Sequence, residues 1–336
     1  MTDLLTITAG KAMRRMWFPA FIQALEKEFG KLTIVEDGQG MSDDERAGLI
    51  RQCRILLTGW GTAAVPASLA HDRGRLEYIC NVTGTLRSWI PVEIIEAGIP
   101  VTNWGDLPAA PLAEGAMALF LTVAKNMRWR IEAVAGGANK PPQTLYNHML
   151  KDMQVGVYGC GVAGRRFIEL LRPWGCIIQV YDPYVTQLPE GCRRIDTLDE
   201  LFAISQAVII HAGLSPETEK SVTAARLAKL PDYGLVINTA RGDIIDQAAL
   251  FAELEKGRLW AGLDVLAVPE NLPPDHPARR WPNLVWTCHD LMVKRMPGSE
   301  DQIDDMQLIC LDNLRRHASG QPLRFTMDRD RYLRST

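Results

Sequence analysis

The stretch VGVYGCGVAGRRF, residues 155–167, narrows the folds open to this chain more than any other. A short apolar run that reads as a strand passes directly into Gly159-x-Gly161-x-x-Gly164, and a helical pattern follows. Three glycines at this spacing are a weak signal alone. Their place between a strand and a helix gives them meaning, because that context makes a dinucleotide-binding turn. Gly159 permits the tight turn, Gly161 lets the backbone approach a pyrophosphate, and Gly164 lets the helix pack close to the strand. The helix N-terminus adds unpaired N–H groups and partial positive charge. Cys160, Val162 and Ala163 complete the expected cofactor loop.

The next apolar run, CIIQVYDPY, ends in Asp182, about 18 residues past Gly164. A carboxylate there can accept hydrogen bonds from the adenosine ribose hydroxyls and repels a 2′-phosphate, so the expected cofactor is NAD rather than NADP. Arg165 and Arg166 follow the third glycine and read as a solvated helix face.

Around this unit the chain alternates strand and helix twice over. LLTITAG, KLTIVED, CRILLTGWG, LEYICNV and IPVTNWG read as buried strands, with helices predicted over 13–29 and 90–97. Pro108 and Pro111 then set the start of a long apolar helix reaching residue 124, and GGANKPPQ breaks the chain. MQVGVYG, CIIQVYDP, QAVIIHAG, GLVINTA, WAGLDVL and NLVWTCH form a second series, and residues 300–317 read as a closing helix that needs the first domain's core. The fold class expected is α/β: two Rossmann-like, doubly wound parallel sheets, the first flavodoxin-like. The boundaries fall near residues 108 and 292. They give a discontinuous substrate domain, 1–107 with 293–336, around a nucleotide domain, 108–292.

Composition excludes several classes. A net charge of −3 gives no global basic field for nucleic acid. No apolar stretch reaches the roughly 18 residues of a membrane span, and the N-terminus lacks a signal-peptide pattern. The seven cysteines are scattered without a CxxC pair. That suits reduced thiols in a cytoplasm better than disulfides or a metal site, and none is expected to hold metal. Cys288, beside His289, is either a reactive thiol or a small apolar residue.

Three longer segments, PLAEGAMALFL, LSPETEKSV and VINTARGDIIDQAALFAELEKGRLWAGLDV, resemble those of the D-isomer-specific 2-hydroxyacid dehydrogenases. The resemblance is dense from Pro111 to His289. It implies two Rossmann-like domains with NAD in the cleft between them and a homodimer formed through the nucleotide domain. It also implies reversible hydride transfer between NADH and a small 2-oxo acid, such as glyoxylate or hydroxypyruvate. Oxidation of another small anion, formate or phosphite, by the same architecture is an alternative. So is a corepressor-like NAD-sensing protein without turnover.

The chemistry asks for matching residues. A substrate carboxylate needs a cation, best a guanidinium, and the carbonyl oxygen needs a proton as hydride arrives. Arg241, at the end of LVINTA, fits the first need. His289, ending the last strand, fits the second, with support expected from a carboxylate. The family's Thr-Pro-His reads Thr287-Cys288-His289-Asp290 here. The family's glutamate stands five residues past the aspartate of Asp-Val, but here Pro269 occupies that place and Glu270 comes one later. Either an extra residue in the turn restores Glu270 to register, or the histidine is weakly supported.

The resemblance further implies that Asp264 faces the nicotinamide carboxamide. It places Ala212, Thr239 and Ala240 along the cofactor, with His211 a cofactor-side or core histidine, and Thr83, Gly84 and Thr85 in the loop that holds the substrate carboxylate. Trp60 suggests a partly apolar wall. Arg87 is a second anion contact or a solvated charge. Trp286 and Met292 line the pocket or pack in the core. His276 lies in PPDHP, a loop pattern that also resembles the family's, while His71, His148 and His317 read as ordinary structural or surface residues.

Overall fold

Short β-branched runs alternating with helices can bury both faces of a strand only in a covered parallel sheet, and the chain builds two. The computed structural model describes residues 4–10, 16–84, 86–139, 146–291 and 302–334. The chain divides into one unit of Met1–Leu107 with Lys294–Thr336 and another of Pro108–Val293.

The first unit opens with β1 (Leu4–Ile7), α1 (Pro19–Phe29), β2 (Leu32–Val35), α2 (Asp43–Ile50), β3 (Ile55–Thr58), β4 (Tyr78–Asn81), α3 (Val92–Glu96) and β5 (Val101–Thr102). Its strands pair in the parallel order β2-β1-β3-β4-β5, the flavodoxin-like arrangement. Helix α1 is shorter than the predicted 13–29. Pro19 takes the first helical turn, and Phe18 before it is extended at φ −81° and ψ 161°. Met16, Trp17 and Phe18 are buried beside Phe21 and Leu25. Residues 13–15 lie outside the described residues.

The second unit contains α4 (Ala109–Ala124), α5 (Met127–Ala135), β6 (Gln154–Tyr158), α6 (Val162–Leu171), β7 (Ile177–Tyr181), β8 (Arg193–Arg194), α7 (Leu198–Ile204), β9 (Ala207–Ile210), α8 (Ala224–Leu227), β10 (Gly234–Asn238), α9 (Gln247–Glu255), β11 (Leu259–Leu263) and β12 (Leu284–Trp286). All its strands are parallel, in the order β12-β11-β10-β9-β6-β7-β8. The winding direction reverses between β6 and β9. In a doubly wound sheet, ligands bind outside the carboxyl ends of the strands at that point. Strands β9, β10 and β11 are buried throughout, which explains their unbroken apolar sequences. Helix α4 packs on α6, with Phe120 and Phe167 edge to face at 6.5 Å. Losing a side chain as buried as Phe120 costs about 3–5 kcal/mol.

The chain returns to the first unit with α10 (Asp305–Ala318) and α11 (Arg329–Arg334). Asp304 caps α10 by accepting from the N–H groups of Met306 and Gln307, and the Gln307 side chain accepts from the Asp304 N–H. This capping box sets the start later than the predicted residue 300. Cys310, Leu311 and Leu314 then pack with Tyr78 and Cys80. Among the described residues, no helix is long and apolar enough to cross a membrane.

Candidate active site

The glycine loop is shaped by what it cannot hold. Gly159 has φ +94°, and a Cβ there would stand 2.5 Å from the Ala212 nitrogen, so the loop after β6 touches the loop after β9 at the reversal point. A Cβ on Gly164 would meet the Gly159 carbonyl oxygen at 2.3 Å, which holds α6 against the turn. Gly161 differs: it is extended, caps α6 with no side-chain hydrogen bond, and a Cβ there would meet nothing within 4 Å. The space above Gly161 and the first turn of α6 is therefore open, as a pyrophosphate requires. Cys160 is buried, while Val162 is exposed.

Asp182 follows β7 and braces this loop. One carboxylate oxygen accepts the Cys160 N–H at 2.7 Å. The other accepts from Tyr184 and Val185 at 2.9 and 3.1 Å. The carboxylate thus stands beside the glycine turn, with part of its accepting capacity taken by backbone.

Two polar atoms near the same strand ends have no hydrogen-bond partner among the described residues although they are buried: His211 Nε2 and Thr239 Oγ1. Burial pushes the His211 imidazole down to about 4, so it is neutral. Ala212 is buried and Ala240 half-buried. An open cradle, a braced carboxylate and unpartnered polar atoms around one switch point fit a dinucleotide.

Arg241 leaves β10 through a turn held by Asn238, whose side chain donates to the Arg241 carbonyl at 2.9 Å and accepts from the Ala240 N–H at 3.0 Å. Its guanidinium donates to the Ala240 carbonyl at 2.6 Å. Burial lowers its pKa and the charge of Glu270 opposes this. A Cβ on Gly242 would lie 1.9 Å from the Leu266 carbonyl carbon. Glycine there lets the Arg241 turn press against the segment that leads from β11 to Glu270.

His289 Nδ1 lies 2.7 Å from Glu270 Oε2. The pair is half open to solvent, with side chains 50% and 30% exposed. The histidine sits on an unusual turn: Cys288 and His289 have φ +58° and +57°. Each such residue costs about 1–2 kcal/mol unless its surroundings hold it. Asp264, 2% exposed, is the anchor. Its Oδ1 accepts from the Thr287 hydroxyl at 2.6 Å and the Asp290 N–H at 3.0 Å, and its carbonyl accepts the His289 N–H at 2.6 Å. Neither Thr287 nor the two-residue left-handed turn was anticipated from sequence. The missing proline was the signal, because a proline at 288 cannot take positive φ.

Trp286 is half-buried. With Arg128, Leu272, Arg279 and Cys288 it lines a separate cavity of 270 Å³ that includes none of the glycine loop. The Arg279 guanidinium lies 5.1 Å above its ring. Met292 lies outside the described residues.

In the first unit, Trp60 and Thr83 follow β3 and β4 at their carboxyl ends. Trp60 is 45% exposed and meets Trp104 edge to face at 5.4 Å. Thr83 is buried, and its carbonyl accepts from Asn81 at 2.6 Å. Gly84 is required because a Cβ would collide with the Trp104 indole at 2.3 Å. Arg87 is exposed and donates to the Leu333 carbonyl at 3.5 Å. Thr85 lies outside the described residues. Of the other four histidines, His148 is buried against the Tyr233 carbonyl, His276 caps a short turn, His317 stacks on Tyr78, and His71 is exposed.

Comparison with known proteins bears on the family and the fold. The hydroxypyruvate reductase of Thermotoga maritima is 32% identical over 263 residues, covering 76% of this chain and 84% of that protein. The D-3-phosphoglycerate dehydrogenase of Methanocaldococcus jannaschii is 28% identical over 76% of this chain, which spans about half (49%) of that relative's length. The fold of the NADPH-dependent glyoxylate/hydroxypyruvate reductase of Sinorhizobium meliloti superposes with a TM-score of 0.76 over 100% of both chains at 22% identity. The family model for the NAD-binding domain of D-isomer-specific 2-hydroxyacid dehydrogenases matches residues 117–290, just over half the chain. With that match and the reductase likeness, the chain belongs to the D-isomer-specific 2-hydroxyacid dehydrogenases.

Proposed function

We propose that this protein is an NAD-dependent oxidoreductase that interconverts a small 2-oxo acid and the corresponding D-2-hydroxy acid. The observation that carries the reading is the 2.7 Å contact between His289 and Glu270 within the family's NAD-binding domain. Bound NADH supplies the hydride. Arg241 binds the substrate carboxylate, its guanidinium offering paired donors to paired oxygens. His289, protonated, gives its proton to the carbonyl oxygen as the carbonyl carbon is reduced, and is left neutral. Glu270 orients the imidazole through Nδ1 and stabilises its cationic form.

The cofactor would be held by Gly159, Cys160, Gly161, Val162, Ala163 and Gly164, by Asp182, and along the strand ends by His211, Ala212, Thr239, Ala240 and Asp264. The exposed Trp60 ring, the loop of Thr83 and Gly84, and the cationic Arg87 support a substrate-binding role for those residues. A glyoxylate- or hydroxypyruvate-like substrate is favoured by the names of the relatives. The formate alternative is less favoured, resting on a 27% identity over 53% of this chain to the mitochondrial formate dehydrogenase of Solanum tuberosum.

A homodimer through the NAD-binding unit is also proposed. Helix α5 buries none of its residues and exposes Ile131 by 63% and Val134 by 67%. A molar mass of one chain by light scattering would exclude it. Seven free thiols suit a cytoplasmic location. The reading is tested by NADH absorbance with a panel of 2-oxo acids. Turnover of at least one supports it, and tight NADH binding without turnover of any overturns it.

A further inference from the structure

We infer that Thr287 and Asp264 are a positioning pair that aims the His289 imidazole, taking the place of the proline the family carries between threonine and histidine. The inference rests on the proposed proton-donor role of His289. Cys288 stands between Thr287 and His289 with φ +58°, a conformation closed to proline. A turn made of two consecutive left-handed residues, neither of them glycine, does not hold itself.

What holds it converges on one buried side chain. The Thr287 hydroxyl and the Asp290 N–H flank the turn, and both donate to the same oxygen of Asp264. Between them the His289 N–H donates to the Asp264 carbonyl. Asp264 is itself fixed, since its N–H donates to the Asn238 carbonyl at 2.9 Å and it directly follows β11. The Glu270 segment starts from that same residue. One anchor therefore sets the start of both arms of the His289–Glu270 pair, and the Thr287 hydroxyl is the side-chain tie that keeps the histidine arm in place. Asp264 then acts on the reaction through His289, in addition to any contact with the cofactor.

The test pairs Thr287→Val, which keeps shape and loses the hydroxyl, with Thr287→Ser, which keeps the hydroxyl. The reading predicts that Thr287→Val lowers kcat about 10-fold or more, with the NADH Kd within about twofold of wild type, and shifts the pH profile of kcat/KM. Thr287→Ser should retain kcat within about threefold. Equal kcat in Thr287→Val and wild type overturns the proposal. So does a serine variant as impaired as the valine variant, or a loss of NADH affinity that matches the loss of kcat. If Thr287→Val does not fold, Thr287→Ala, which also lacks the hydroxyl, is read by the same measurements. Long-range ¹H–¹⁵N spectra of the His289 ring separate this proposal from the functional one. The ring's tautomer and titration should change in Thr287→Val even if no 2-oxo acid is turned over. Unchanged ring spectra overturn the positioning role alone.

Discussion

The Glu270 carboxylate contacts Nδ1 of His289 at 2.7 Å from a position six residues past Asp264. The segment after β11 leads to it. There Ala267 N–H donates to Gln247 and Val268 N–H to Asp243 at 2.8 and 3.4 Å, so the segment is pinned before it reaches Glu270. Both partners are partly exposed, so the contact adds little to stability. Its worth lies in orienting the ring.

Glu270→Gln should therefore separate activity from stability. The expected result is a fall in kcat of about 10²-fold with a change in unfolding free energy below about 1 kcal/mol. Parallel kinetics and thermal melts check it. A large loss of stability would make Glu270 a structural residue.

The glycines of the loop are predicted to behave differently. Gly161→Ala should leave the melting temperature nearly unchanged, because its Cβ would meet nothing within 4 Å, yet weaken NADH binding about 10-fold or more by filling the phosphate space. Gly159→Ala should cost stability as well, since it combines φ +94° with a 2.5 Å approach to Ala212. Titration of NADH fluorescence beside thermal unfolding resolves the two patterns.

Asp182 should set a preference for NAD over NADP of at least about 10-fold in kcat/KM. It also accepts the Cys160 N–H, so Asp182→Asn should weaken NAD binding while narrowing the discrimination. Comparable wild-type kcat/KM with both cofactors would sink this expectation.

His211 predicts a pH dependence of folding. Burial lowers its pKa from the ordinary 6.5 to about 4, so between those values the unfolded chain binds the proton and the folded chain does not. Its neutral burial is fully compatible with folding above about pH 6.5, and stability is lost as pH falls toward about 4, by up to about 3 kcal/mol. Chemical denaturation of His211→Leu across that range should show a shallower acid loss than wild type. Identical slopes would show that His211 contributes nothing.

Much of this was legible in the sequence because buried parallel strands must be apolar on both faces. QAVIIHAG, GLVINTA and WAGLDVL therefore announced β9, β10 and β11. The glycine loop was legible for a similar reason, since backbone that must approach backbone admits no Cβ. Local rules that act through single residues shifted the edges: Pro19 fixed the start of α1 and Asp304 that of α10. The strand β8 left no trace, because two exposed arginines at a sheet edge carry no alternation. The turn at Cys288 and His289 was hidden for a different reason. Its positive φ values come from hydrogen bonds to Asp264, 24 and 25 residues earlier, and not from residues that prefer that conformation. Sequence showed that proline was missing, while only the fold shows what replaces it.

The most direct measurement is NADH consumption, followed by absorbance, for wild type and His289→Gln with glyoxylate, hydroxypyruvate and larger 2-oxo acids. The account predicts turnover by wild type. It predicts a loss of about 10²–10⁴-fold in kcat for His289→Gln, with the NADH Kd within about twofold. Undiminished turnover in His289→Gln would contradict it.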